Sequence, residues 1–351
     1  MTSTAAHVAR PALVLGPHTV DAARISADIL ARNPDHPQRE AIRRALGNLP
    51  GTRRYLAPYE QIVGERSTVQ RKDDTFDAVR RAARDAVTAA LADTGLAPGD
   101  IDCVVVSSAT ADKVPGLAVH LLNDLGLRPD VRIRSMTQAA CAGGALALVM
   151  AENHLARYPE HTVLVLVGEF LSAMYQDSAR SLEDQIYKAL WGDLVAATVV
   201  AARPLGSAPT LRIDHTWEYT LPHTVERYRK LTDERGDHFS STRDSLRSVT
   251  DLAPALLDWL GRHADGPLDF GILHPGGPAI LTRLAKVLGV DEEFVRHSRD
   301  VLAQEGNLGG ATVLSVLHRT YRTPPRPGHQ GLVLGLGPGV STAALLVTWS
   351  G

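Results

Sequence analysis

The 351-residue chain holds only two cysteines, Cys103 and Cys141. Two thiols cannot build a disulfide framework, and neither sits at the spacing of a Cys/His metal set. A basic excess is also missing. The 37 Lys and Arg face 39 Asp and Glu, a formal net charge of −2, which excludes the electrostatic footprint of a nucleic-acid binder. No apolar run reaches the ~18 residues of a membrane span. Stretches such as TVLVLVGEFL and LVLGLGPGV are cut short by Gly, Glu or Pro and read as buried strands. The opening MTSTAAHVARPALVLG lacks a basic segment followed by an apolar core, so no export signal is read there. A reducing, cytoplasmic setting is expected. Lysine is scarce as well. Five lysines leave 37 − 5 = 32 arginines, a skew that points to a GC-rich bacterial coding sequence.

What is present is a regular alternation. Short β-rich runs alternate with longer amphipathic stretches, the pattern of an α/β protein with buried strands. In the first half it predicts strands at Ala12–Leu15, Ile101–Ser107, Val131–Met136, Thr162–Gly168 and Leu194–Ala201. The helices predicted between them are Val20–Arg32, Thr75–Thr94, Leu117–Leu125 and Ala142–Arg157. The second half predicts strands at Thr210–Thr216, Leu268–Leu273, Gly331–Leu336 and Thr342–Trp349, with helices at Ser248–His263, Pro278–Leu288 and Thr312–Arg319. The halves correspond. LADTGLAPGDIDCVVVSSAT and LDWLGRHADGPLDFGILHPG each lead a helix into a strand, and each half ends in two strands. A duplicated chain joined near Ala202–Pro209, where Pro, Gly and Ser cluster, is expected. The charged segment Arg227–Arg243 reads as a solvated face.

Three segments carry chemistry. In SMTQAACAGGALALV, Cys141 follows a predicted strand and opens a predicted helix, where the helix dipole and free N–H groups favour a thiolate. In FGILHPGGPAI, His274 ends a strand and meets a sharp Pro-Gly-Gly turn. In QEGNLGGATVL, Asn307 offers an uncharged amide that suits a developing oxyanion. Singly, each has a plainer reading as a buried thiol, a structural histidine or a turn residue. All three lie on Gly-rich loops at strand or helix ends, where α/β sheets place their sites. Glu169 reads as a general base or as a hydrogen-bonded structural carboxylate, and the second is favoured because buried carboxylates need partners. Cys103, inside a continuous β run, is expected to be inert. Gly335-Leu-Gly337-Pro-Gly339 imitates a dinucleotide fingerprint but lies between strands instead of opening a helix.

The set AACAGG, LWGD, HPGGPAIL, GNLGGA and GLGPGVS resembles the type III polyketide synthases, the chalcone-synthase-like branch of the thiolase superfamily. The motifs run in family order from about Arg43 to the C-terminus. The resemblance implies a duplicated thiolase-like fold of αβαβα layers. Its N-terminal half, 1–204, would carry the nucleophilic Cys, and its C-terminal half, 205–351, the His and Asn. Cys141 falls on the acyl-accepting nucleophile, His274 on the histidine that pairs with its thiolate, and Asn307 on the amide completing the decarboxylation site. Trp191 takes the gatekeeper position, usually Phe. Val114 matches a residue that reaches across a dimer, Gly309 a small residue that sets cavity volume, and Pro338 a cavity-wall proline. Leu171 and Met174 fall where plant members often carry threonines, which makes this pocket greasier. Arg44 matches one basic residue of the pantetheine tunnel, while Ala41 and Asn48 stand at two others.

The implied reaction loads an acyl starter from CoA onto Cys141, condenses it with malonyl-CoA and cyclises the polyketide. It needs no cofactor and no metal beyond the CoA thioesters that are its substrates. The implied partners are malonyl-CoA, an acyl-CoA starter and a second copy in a homodimer, with no nucleic acid and no membrane. One alternative is a ketoacyl-ACP synthase of the initiating type, which shares the Cys/His/Asn set and takes carrier-protein substrates. Another is a catalytically dead scaffold, against which the intact set argues. Without the resemblance, Trp191 reads as core packing.

Overall fold

Strands with apolar residues on both faces must be covered on both sides, and the structure does this with five layers. A computed structural model describes residues 5–49, 51–176, 179–206, 208–234 and 236–350. Ten strands form one mixed sheet whose order is Phe270–Leu273, Gln330–Gly337, Ser341–Ser350, Thr210–Thr220, Ala6–Val8, Asp193–Ala201, Thr162–Phe170, Cys103–Ser107 and Arg132–Met136, with Ala12–Leu15 also pairing Asp193–Ala201. Alternation along the strands sorts the core. Val105, Val165 and Leu194 from the first half, with Val333 and Leu345 from the second, pack on helices Gly143–Arg157 and Thr312–Arg322 in the central layer. Their neighbours Val104, Leu164 and Val195 face outward onto helices Thr68–Thr94 and Leu117–Leu125. Leu332 and Leu346 do the same against helices Ser248–His263 and Pro278–Leu288.

The strand directions repeat. Cys103–Ser107 runs parallel to Thr162–Phe170, which is antiparallel to Asp193–Ala201. Phe270–Leu273 runs parallel to Gln330–Gly337, which is antiparallel to Ser341–Ser350. The sequence correspondence between the halves is therefore a structural one. The edge strand Arg132–Met136 has no counterpart among the described residues and pairs only with Cys103–Ser107.

Helices Leu117–Leu125, Ser248–His263 and Pro278–Leu288 have the predicted bounds. Helix Thr68–Thr94 begins a full seven residues earlier than its apolar stripe suggests, because Ser67 and Gln70 form a capping box ahead of it. The sequence reading omitted helices Arg39–Leu46, Leu182–Leu190 and Glu292–Gln304. It also misread Arg227–Arg243. That segment is largely a hairpin, Tyr228–Asp233 against Gly236–Ser241, and is not a solvated face alone. Lys230 donates to the Ala109 carbonyl and pairs with Asp112 and Asp237, while Phe239 packs inward.

Candidate active site

Cys141 sits in a one-turn 3-10 helix, Ala140–Ala142, at the head of the central helix Gly143–Arg157. Ala140 takes a positive φ of 42°, a strained conformation for a residue with a side chain. Two glycine-lined segments hold this turn. A Cβ on Gly310 would lie 2.6 Å from the Ala140 carbonyl oxygen, and one on Gly337 would lie 2.7 Å from the Ala139 carbonyl oxygen. Only glycine allows these approaches, which is the physical content of the GNLGG and GLGPG motifs. Pro338 follows Gly337 directly and is half-buried beside the same turn.

His274 extends the strand Phe270–Leu273 by one hydrogen bond, its N–H donating to the Leu334 carbonyl at 2.8 Å. Its side chain is 2% exposed, and neither ring nitrogen has a hydrogen-bond partner among the described residues. Burial pushes the imidazole down to about 4, opposed only weakly by the Gly309 backbone. Asn307 is oriented from both sides. Its Nδ2 donates to the Gly276 carbonyl at 2.8 Å, and its Oδ1 accepts the Gly309 N–H at 2.9 Å. Those partners fix which end of the amide is nitrogen and leave its second N–H without a protein acceptor. A parallel bridge then ties Asn307 to Trp191: Asn307 N–H donates to Leu190 O at 2.8 Å, and Gly192 N–H to Asn307 O at 2.9 Å.

Trp191 is 6% exposed and packs with Leu171 and Met174, both also buried. Asp193 sets the turn that carries this pair. It accepts Ser172 N–H and Oγ–H at 2.9 and 2.7 Å, and burial pushes it up to about 7. Sequence reasoning missed two members of the cluster. Tyr187 stacks on Trp191 at 5.1 Å between centroids, and Phe239 meets Trp191 edge-on at 6.1 Å. Tyr187 lies four residues before Trp191, so helical spacing could have shown it; Phe239 arrives on the misread hairpin. Val114 is not part of this cluster. It is 95% exposed within one chain. Gly309, with φ 57°, faces the Glu169 and Leu171 side chains. Arg44 is exposed on helix Arg39–Leu46, which packs against the helix leading to Trp191.

Glu169 is fully buried and accepts the Ala109 N–H at 3.1 Å and the Thr110 hydroxyl at 3.1 Å, the hydrogen-bonded carboxylate favoured from sequence. Burial still pushes it up to about 8. The same burial, reinforced by Glu169, pushes the Cys141 thiol up to about 12, although part of its surface stays accessible. Desolvation opposes a thiolate at this helix head, and among the described residues no hydrogen bond joins the thiol to His274. Burial favours the neutral form of both groups in the free chain. Labelling of the free enzyme by iodoacetamide at Cys141 should therefore rise steadily between pH 7 and 10. Fast labelling that levels off below pH 7 would instead show a preformed ion pair. Cys103 lies buried in its strand, and burial pushes it up to about 11. Among the described residues, no group of three or more His, Cys, Asp or Glu is placed to hold a metal ion, and no helix is long and apolar enough to cross a membrane.

Residues 52–204 match the N-terminal domain of the chalcone and stilbene synthases, and residues 220–349 match the C-terminal domain. The chain belongs to the chalcone and stilbene synthase family. It is 30% identical over 349 residues to a 1,3,6,8-tetrahydroxynaphthalene synthase of Streptomyces coelicolor, covering 98% of this chain and 92% of that one. It is 29% identical over 320 residues to a phloroglucinol synthase of Pseudomonas fluorescens, covering 90% and 91%. The structure of germicidin synthase from S. coelicolor, a type III polyketide synthase, superposes with a TM-score of 0.92 at 29% identity, covering 98% of this chain and 99% of that one. The family fold is the thiolase-like one, and the chain is a condensing acyltransferase of the type III polyketide synthase class.

Proposed function

We propose that this type III polyketide synthase loads an acyl starter onto Cys141 and extends it with malonyl-CoA at His274 and Asn307. The observation that carries the reading is the pair of unpartnered ring nitrogens on buried His274, beside the half-used amide of Asn307. Such groups cost free energy unless a ligand completes them, and a thioester oxygen is an acceptor of the right kind. With burial favouring the neutral thiol and imidazole, His274 acts first as a general base. It takes the Cys141 proton as sulfur attacks the starter thioester, and returns it to the departing CoA thiolate. The malonyl thioester oxygen then accepts from His274 and Asn307. Carbon dioxide leaves, and the enolate so formed is held by the two donors. Its carbon attacks the Cys141 thioester, making the new C–C bond and releasing the thiolate. Further rounds return the chain to Cys141 before ring closure to an aromatic or pyrone product.

The remaining roles belong to the same reading. Trp191, Leu171, Met174, Gly309 and Pro338 shape an apolar space for the growing chain, and Arg44 meets CoA phosphate. Exposed Val114 and the one-sided edge strand Arg132–Met136 suit a second copy in a homodimer. The division at 204/205, the absence of any cofactor and a cytoplasmic location are proposed with it. Mass spectrometry of products from malonyl-CoA with a panel of acyl-CoA starters tests the function directly. Trp191→Ala in the same assay should change starter choice or product length more than the melting temperature. A strongly destabilised variant with an unchanged residual product profile would make Trp191 a core residue, at a cost of about 3–5 kcal/mol.

A further inference from the structure

An open cavity lies apart from the Cys141 site. A cleft of about 530 Å³ lies behind the Asn307 loop and shares no lining residue with Cys141, His274 or Trp191. That volume is within the range of small-molecule sites. Its floor is apolar, formed by half-buried Leu13 and Leu15. Its walls are cationic, with Arg54, Arg319, Arg322 and His318 set around a single carboxylate, Glu305.

That carboxylate is already engaged, since Arg319 pairs with it and the Ser315 hydroxyl donates to it at 2.6 Å. Two positive charges are left over. Arg54 uses its Nε on the Gly16 carbonyl at 2.8 Å, and no hydrogen bond of its terminal nitrogens is found among the described residues. Arg322 has no side-chain hydrogen bond or ion pair among them at all. His318 fixes Nδ1 on the Pro11 carbonyl at 2.8 Å, which leaves Nε2 without a protein partner. A concave wall of unspent guanidinium groups attracts an anion able to take paired N–H donors, and phosphate fits that fork. The leucine floor adds a place for a flat ring.

We infer that this cleft binds a phosphate-bearing small molecule of about mononucleotide size, with its phosphates between Arg54 and Arg322 and its ring over Leu13 and Leu15. The bound ligand touches Glu305, which precedes Gly306 and Asn307 and whose carbonyl accepts the Arg54 N–H. The inference does not depend on which polyketide the enzyme makes.

Calorimetric titration of the purified chain with ADP tests it. With saturating coenzyme A closing its own site to ADP, one ADP should still bind per chain, and adenosine should give no heat at the same concentration. Arg322→Glu should weaken ADP binding by about tenfold or more, the scale of one lost charge-assisted hydrogen bond, while the KM for malonyl-CoA stays as in the parent. Thr19→Glu, an exposed change on the facing strand, should weaken it in the same way and guards against misfolding of the first variant. Absence of ADP binding at millimolar concentration overturns the inference. So does complete displacement of ADP by coenzyme A, or unaltered ADP affinity in both folded variants.

Discussion

Replacing Cys141 by Ala lowers polyketide formation by ~10^4-fold or more and leaves the fold intact. The two parts of that expectation have separate causes. Sγ is the atom assigned to carry the acyl chain, and Ala cannot form a thioester. The fold is spared because the turn is held by backbone approach to Gly310 and Gly337, not by the thiol. Serine fits the same turn, but its hydroxyl is a far weaker nucleophile beside a neutral imidazole, so Cys141→Ser should be inactive too. Steady-state product yield and far-ultraviolet circular dichroism of the two variants check both parts. Substantial product from the Ala variant would mean that another group holds the chain.

His274→Ala and Asn307→Ala should each slow release of CO2 from malonyl-CoA by ~10^2-fold or more, the scale for losing one oxyanion donor. The measurement uses malonyl-CoA alone, so it reads the decarboxylation half-reaction without the Cys141 acyl step. The two variants should differ in stability. His274 makes no side-chain hydrogen bond, so its removal leaves no buried partner unsatisfied. Asn307→Ala strands the Gly309 N–H and the Gly276 carbonyl, and a drop in melting temperature should accompany it. Asn307→Asp should also be slow, because a carboxylate opposes the enolate. Unchanged CO2 release in both Ala variants would remove these residues from the site.

The legible parts of this fold are those whose burial is written in contiguous residues. Strands such as Thr162–Phe170 and Asp193–Ala201 are buried at every position and read as largely apolar runs. Helices Leu117–Leu125 and Pro278–Leu288 end at glycines in left-handed backbone, which punctuate the sequence. The hairpin Tyr228–Ser241 was not legible. Its charges face Asp112 and Lys72 across the chain, and the aromatic cluster that half-buries Phe239 is recruited from Tyr187 and Trp191. The site divides in the same way. Cys141, His274 and Asn307 stand out because glycines must flank them. The protonation state of Cys141 could not be read locally, since it depends on burial and on Glu169, which the fold brings alongside. The role expected of Val114, across a dimer, lies outside a single chain.

The clamp around the Cys141 turn also bears on when the enzyme becomes competent during its own synthesis. Gly310 and Gly337 leave the ribosome long after Cys141 does, and Ser341–Ser350, which pairs with the strand carrying Gly337, comes later still. A nascent chain that has made only its first half can form the Cys103–Ser107 and Thr162–Phe170 ladder, yet it has nothing to hold Ala140 in its left-handed conformation. Such a chain also lacks His274 and Asn307. The turn that presents Cys141 is thus completed by segments of the second half of the chain.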